Sequence, residues 1–212
     1  MDNKPFFSVI IPAHNSAEWI RRGLDSIRAQ AWTDYELIVV CDACTDNTAE
    51  IAREYTDKVI ITEFGLDGKA RNAGLDAARG QWVLFMDDDD WFLHEYVFQQ
   101  LALAAGKHGE DMLLFSFIWK GRGYTSQEKN TYIACWCKCW WRGFIGKPGF
   151  LMFRSGPMWI SCMRSWQRNR GSIAGTCRCI ITITCEKEAS AGGSSRGRLN
   201  NAEQSRYDPG TD

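Results

Sequence analysis

The sequence predicts an α/β domain, a mainly parallel sheet covered by helices on both faces. Three observations lead there. Short, β-rich apolar runs alternate with helical stretches over the first 118 residues. Each apolar run stops abruptly in a polar loop. The stretches between runs are long enough for helical crossovers, and crossovers of that kind lay successive strands parallel. At 212 residues the chain can build one substantial core.

The elements follow in order. Phe6 to Ile11 reads as a strand stopped by Pro12. Asn15 or Ser16 then caps a helix that carries Trp19, Ile20, Leu24 and Ile27 at helical spacing. Tyr35 to Val40 is a second strand, closed by the polar loop Cys41 to Asp46. Thr45 or Asp46 caps a helix towards Tyr55, and Val59 to Ile61 is a third strand. Gly68 to Arg79 reads as a helix ended by Gly80 at the position after its last turn. Trp82 to Met86 is a fourth strand, Leu93 to Ala105 a helix, and Met112 to Ile118 a fifth strand.

The four acids Asp87-Asp88-Asp89-Asp90 stand directly behind the fourth strand. That is the carboxyl end of a buried strand, where open α/β sheets bind ligands. Packed carboxylates repel one another unless a cation joins them, and a hard divalent ion shared with phosphate oxygens, Mg²⁺ or Mn²⁺, is the usual remedy. The plainer alternative is a solvated acidic turn capping the next helix. Two further loops leave the same edge, Pro12-Ala13-His14-Asn15 and Cys41-Asp42-Ala43-Cys44-Thr45-Asp46. A fourth segment, Gly68-Lys69-Ala70-Arg71-Asn72-Ala73-Gly74, opens a helix with two cations and an amide, a composition that attracts phosphate. No glycine-rich turn follows the first strand, which argues against an ordinary dinucleotide fold.

Ser8-Val9-Ile10-Ile11-Pro12-Ala13-His14-Asn15, Val40-Cys41-Asp42-Ala43-Cys44-Thr45-Asp46-Asn47-Thr48, Ala70-Arg71-Asn72-Ala73-Gly74 and Phe85-Met86-Asp87-Asp88-Asp89-Asp90 stand in that order. Together they resemble the family 2 glycosyltransferases, inverting enzymes of the GT-A fold, over about residues 6 to 118. The resemblance implies a GT-A-like, Rossmann-like sheet and transfer of a sugar from a nucleoside diphosphate donor to a hydroxyl acceptor. UDP-sugar is the first choice of donor. It further implies that Asp42 accepts a hydrogen bond from the uracil imide, and that His14, flanked by Pro12 and Asn15, lies against the base. Arg71 would contact base or diphosphate, with Lys69 beside it and Asn72 supporting the loop. Asp87 and Asp89 match the D-x-D pair that holds ribose and metal. Asp88 is placed with the nucleotide, and Asp88 and Asp90 stay open between a supporting acid and a helix cap. Cys41, Ala43 and Cys44 depart from the family's Asp, Gly and Ser, so base pairing rests on Asp42 alone.

The family supplies its catalytic base from an acidic motif well past D-x-D. Here no Asp or Glu stands between Lys147 and Cys185. The genetic code offers a cause. Met158-Trp159-Ile160 requires ATG-TGG-ATH, which one nucleotide earlier reads NAT-GTG-GAT and forces Val-Asp. Codon degeneracy permits FPDVPEWSDVDF around it, an acidic motif of the kind required. It likewise permits MPMYYYNYLRKGSQ in place of Cys177 to Ser190. The expectation is a domain over residues 5–146, and a tail over 147–212 translated out of frame after a one-base slip near Gly146, without a domain of its own and poorly packed. No catalytic base is then assigned in this frame. The competing reading is a genuine basic, cysteine-rich extension.

Charge divides at the same place, 15 Lys and Arg against 21 Asp and Glu up to Gly146, and 10 against 5 beyond. A nucleotide-binding module with a basic nucleic-acid-binding tail is therefore one rival function, although no nucleic-acid partner is expected if the tail is out of frame. A sugar-phosphate nucleotidyltransferase is another, disfavoured because no glycine-rich loop follows the first strand. The nine cysteines read as free thiols, with Cys135, Cys137 and Cys139 as small apolar residues on one strand face. No signal peptide or membrane span is read from the chain. A cytoplasmic protein is expected, with room for peripheral association at the inner membrane face and a glycan, lipid-linked or other hydroxyl acceptor.

Overall fold

The computed structural model describes residues 4–105, 112–115, 117–119, 122–124, 138–145, 180–181 and 185–187. In chain order, β1 (Phe7–Ala13) is followed by α1 (Ile20–Arg28), β2 (Tyr35–Asp42), α2 (Thr48–Arg53), β3 (Val59–Thr62) and α3 (Asp67–Ala77). Then come β4 (Trp82–Phe85), β5 (Asp90–Phe92), α4 (Val97–Ala105), β6 (Met112–Phe115), β7 (Phe117–Trp119) and β8 (Arg122–Tyr124). β9 (Lys138–Trp141), α5 (Arg142–Ile145), β10 (Ile180–Ile181) and β11 (Cys185–Lys187) complete the described elements.

The expected α/β sheet is present. Its order is β10-β6-β9-β4-β1-β2-β3. β4, β1, β2 and β3 run parallel, as do β10 and β6, while β9 is antiparallel to both its neighbours. A second sheet joins β5, β11, β7 and β8. Alternation along the strands sorts the core. Phe7, Val9, Ile11, Val39 and Leu84 meet Leu24 and Ile27 of α1, Ile51 of α2, and Phe98 and Leu101 of α4 on one face. Ile10, Ile38, Val40, Val83 and Phe85 meet Ala70 of α3 and Trp140 of β9 on the other. These strands are apolar on both faces because helices cover both.

Several expectations are corrected. β1 does not stop at Pro12, which pairs with Val40 of β2. Pairing with β4 ends at Ile10 and Phe85. In a parallel ladder Ile10 and Pro12 turn the same edge towards β4, so the missing N–H of Pro12 falls beyond the end of that strand. Neither Asn15 nor Ser16 caps α1; Trp19 stands at the N-cap without a side-chain bond. Gly80 does not close α3 either, because that helix ends in an extended Ala78. Glycine is needed there for a close approach, since a Cβ would sit 2.5 Å from the Ser8 amide nitrogen. Asp88 and Asp90 cap no helix, because β5 intervenes and α4 begins at Val97, not Leu93.

Cys139 is fully buried in β9, and burial pushes its thiol up, as suits a small apolar residue. Cys135 and Cys137 lie outside the described residues, as does most of the tail from 147. Within that tail, β10 lies parallel to β6, and β11 sits between β5 and β7.

Candidate functional site

The loops after β1, β2 and β4 leave one edge of the sheet together, and side chains tie them to one another. The His14 amide donates to Asp88 Oδ2 at 3.3 Å. His14 Nδ1 lies 2.6 Å from the Asp42 carbonyl. A carbonyl only accepts, so Nδ1 carries the proton and Nε2 is left as an acceptor, 3.4 Å from Asn15 Nδ2. Asn15 adopts φ +50°, and its Oδ1 accepts from the Thr45 amide at 2.7 Å and the Asp46 amide at 3.3 Å. The residues expected to cap α1 are thus engaged in joining loops. Ser16 makes the same point: its hydroxyl donates to Asp88 Oδ2, and its amide donates to Thr48 Oγ1 at 2.7 Å.

Asp42 ends β2 and is buried. Its Oδ1 accepts from Thr62 Oγ1 at 3.0 Å and the Phe64 amide at 2.6 Å, and its Oδ2 from the Leu66 amide at 3.0 Å. A carboxylate offers about four acceptor positions. Asp42 therefore fixes the β3–α3 loop and keeps one position on Oδ2 for a further donor.

The four acids are not a solvated turn. Asp87, Asp88, Asp89 and Asp90 are 9%, 7%, 6% and 2% exposed. They divide three to one. Asp88 turns to the β1 loop, where it holds Ser16 and His14. Asp87, Asp89 and Asp90 each bring a carboxylate oxygen to within 4.8 Å of the others. Buried like charges at such range favour a cation between them, and an all-oxygen donor set suits Mg²⁺ or Mn²⁺. The residues present therefore fit a divalent ion. Asp90 joins the pair read from sequence; the signal for it was its place in the acid run.

Arg71, expected near base or diphosphate, is itself buried and donates from one terminal nitrogen to Asp87 Oδ1 at 2.8 Å. Its other terminal nitrogen lies 3.7 Å from Asp67. Lys69 is exposed on the first turn of α3, its Nζ 5.7 Å from the Phe64 ring centre. Asn72 is half-buried on the same helix, and Pro12 lies buried at the end of β1.

The sequence profile of Glycosyl transferase family 2 matches residues 8–180, most of the chain. The chain belongs to glycosyl transferase family 2. Among similar family 2 relatives, the poly(ribitol-phosphate) beta-N-acetylglucosaminyltransferase TarS of Staphylococcus aureus is 36% identical over 126 residues, 55% of this chain and 22% of TarS. The putative glycosyltransferase EpsH of Bacillus subtilis is 37% identical over 155 residues, 66% of this chain and 45% of EpsH. The chain thus spans less than half the length of either relative. In structure it resembles S. aureus TarS 1-349 in complex with UDP-GlcNAc, at TM-score 0.68 and 23% identity over 86% of this chain and 59% of that one. It also resembles the mannosyltransferase PcManGT of Pyrobaculum calidifontis in complex with GDP-Man and Mn²⁺, at TM-score 0.64 and 18% identity over 87% and 57%. These likenesses establish the fold.

Ser16, Thr48, Thr62 and Phe64 are the site's contributors that motif reading missed. Ser16 and Thr48 stand beside or inside the motifs, but the Ser16 hydroxyl looked like a cap and Thr48 had no role assigned. Thr62 and Phe64 carry no sequence signal, because they reach Asp42 across a sheet edge.

Proposed function

We propose that the chain is the donor-binding part of a glycosyltransferase that moves a sugar from a nucleoside diphosphate sugar, UDP-linked as first choice, to a hydroxyl acceptor in glycan or polysaccharide synthesis. The observation that carries this reading is the convergence of three buried carboxylates, Asp87, Asp89 and Asp90, beside the β1 and β2 loops of a family 2 chain. The relative bound to UDP-GlcNAc supports the donor class, and the one bound to GDP-Man and Mn²⁺ supports the metal.

In this reading the base enters beside His14 and donates its imide N–H to the remaining position on Asp42 Oδ2. Asp88 holds the β1 loop in place for it. Asp87, Asp89 and Asp90 would hold the divalent cation, which when bound would neutralise charge on the departing diphosphate. Arg71 balances Asp87 from the protein side. Inverting transfer also needs a base to take the acceptor hydroxyl's proton as its oxygen attacks, worth about 10²- to 10⁴-fold. The stretch from Lys147 to Cys185 supplies no carboxylate for that step.

We attribute that gap to a shifted reading frame after about Gly146, on the forced Val-Asp of the preceding frame and the change of charge at the same point. The chain is assigned to the cytoplasm on sequence grounds. Among the described residues no helix is long and apolar enough to cross a membrane.

Two measurements test the proposal. Titration with UDP should show binding in Mn²⁺ that EDTA abolishes; equal binding in both sinks the metal site. Translating the DNA across codons 140 to 190 in all frames should show the preceding frame open. Restoring one base should then bring transfer up by at least the base's share, about 10²-fold. Stop codons in that frame, or full transfer by the 212-residue chain, would overturn the frame argument.

A further inference from the structure

Cys41 and Cys44 stand in C-x-x-C spacing at the end of β2 and enclose Asp42, the residue assigned to the base. Ala43 between them adopts φ +52°, in the left-handed region that residues with a Cβ seldom enter. Its amide is anchored to the Thr62 carbonyl at 2.7 Å. Across that turn each thiol shifts the other's titration. Cys44 Sγ also donates to the Ala13 carbonyl at 3.4 Å and accepts from the Asn15 amide. The pair therefore sits where the β1 and β2 loops meet.

The two thiols are unequal. Cys41 is fully buried, whereas Cys44 is half-buried and reachable from solvent. The Cys41 thiol donating to its sulfur, aided by the Asn15 amide, lowers the Cys44 thiol to about 7 despite its burial. The same contact with Cys44, reinforced by burial, pushes the Cys41 thiol up. An accessible low-pKa thiol backed by a buried resolving thiol is the arrangement of dithiol redox pairs.

We propose that Cys41 and Cys44 are an oxidisable pair, and that their disulfide weakens nucleotide binding at Asp42. The oxidant is a small-molecule disulfide. Cys44, as thiolate, attacks one of its sulfurs and expels one thiolate. Cys41 then gives up its proton and attacks Cys44 Sγ, expelling the second. Two S–H bonds are lost, one S–S bond forms, and the oxidant is reduced by two electrons to two thiols. A disulfide needs the sulfurs about 2.05 Å apart, so Cys44 leaves the Ala13 carbonyl and the Asn15 amide. Asp42 and the His14 bonded to its carbonyl move with that loop. The binding half of the inference rests on the donor-site reading above.

The test equilibrates the full chain in glutathione buffers of graded poise. The tryptic peptide spanning residues 29–53 contains these two cysteines and no others. Its mass should fall by about 2 Da as the poise rises, and dithiothreitol should restore it. UDP affinity should fall at least tenfold in the oxidised protein and recover on reduction. Cys44→Ser should show no oxidant-dependent change in affinity. A peptide that stays dithiol, or stops at a glutathione adduct, overturns the proposal. So does a cross-linked protein that binds UDP as the reduced one does. If even the reduced protein fails to bind UDP, the donor-site reading fails, and the thiol pair is decided by the peptide mass alone.

Discussion

Replacing Arg71 by Met tests how the acid cluster is balanced. The Arg71 side chain is 5% exposed and that of Asp87 12%, with 2.8 Å between the paired atoms. Removing one partner of a buried pair costs about 3–5 kcal/mol, because the other charge is left buried. In a domain of this size each kcal/mol moves the melting temperature by about 2–4 °C. R71M in EDTA should therefore melt about 10 °C below the native chain. Mn²⁺ should return part of that loss. A ligand at a hundred times its Kd adds about 2.7 kcal/mol, and the ion supplies positive charge where the guanidinium was removed. The Mn²⁺-induced rise should then be larger for R71M than for the native chain. The assay is thermal melting of both proteins in EDTA and in MnCl₂. Melting of R71M within about 2 °C of native in EDTA, or equal Mn²⁺ shifts, would refute the claim that Arg71 and a metal balance the same carboxylates.

Asp88→Ala removes the acceptor of the Ser16 hydroxyl and the His14 amide. It should cost about 1–3 kcal/mol and weaken UDP binding about tenfold, read by calorimetry; unchanged affinity would mean that Asp88 does not position the loop. Gly23→Ala would put a Cβ 2.6 Å from the Asp90 carbonyl oxygen and 3.0 Å from Met86 Cε. It should destabilise by about 1–3 kcal/mol in urea melts and lower Mn²⁺ affinity, since α1 backs the acid loop. Glu36 gives a pH test. Burial works to raise its carboxyl, but Lys58, Ser8 and the Arg79 amide outweigh that and hold it below the ordinary 4.5. A lowered pKa means stability that is full above about pH 4.5 and lost as pH falls through the folded value. Glu36→Gln should flatten that acid-side loss, and a slope identical to native would exclude Glu36 as its source.

The sheet was legible because its strands are uninterrupted apolar runs, and only strands covered on both faces are written that way. Asp42 and Asp87 were legible because each follows such a run, and Asp89 because with Asp87 it matches the family's D-x-D pair. What sequence could not supply was direction. Asn15 and Ser16 have the chemistry of helix caps, and the same oxygens serve equally to bind a neighbouring loop. The choice depends on how close Thr45 and Asp88 come, 30 and 72 residues away. Gly80 failed for a related reason: a glycine after a helix signals a left-handed cap or a close contact, and the Ser8 backbone decides for contact. Asp90 was ambiguous until β5 separated it from α4.

Buried acids stand at both ends of this sheet, and the contrast between them is the strongest physical argument for where the chemistry lies. Glu36 opens the buried part of β2. Its Oε1 accepts from Ser8 Oγ at 2.5 Å and from the Arg79 and Gly80 amides at 2.5 and 3.0 Å, while Oε2 pairs with Lys58. Its donors approach from separate elements and point at one carboxylate, the pattern of an acid that holds a fold together. At the other end Asp87, Asp89 and Asp90 bring carboxylate oxygens within 4.8 Å of one another, with Arg71 paired to Asp87. Folding alone gives no reason to aim three carboxylates at a shared point, since each raises the cost of burying the next. A cation among these oxygens would relieve that cost, so replacing Asp89 by Asn should raise stability in EDTA and abolish the Mn²⁺-dependent rise in melting temperature. An Asp89→Asn protein less stable than native in EDTA would place that carboxylate with Glu36, among the acids that serve the fold.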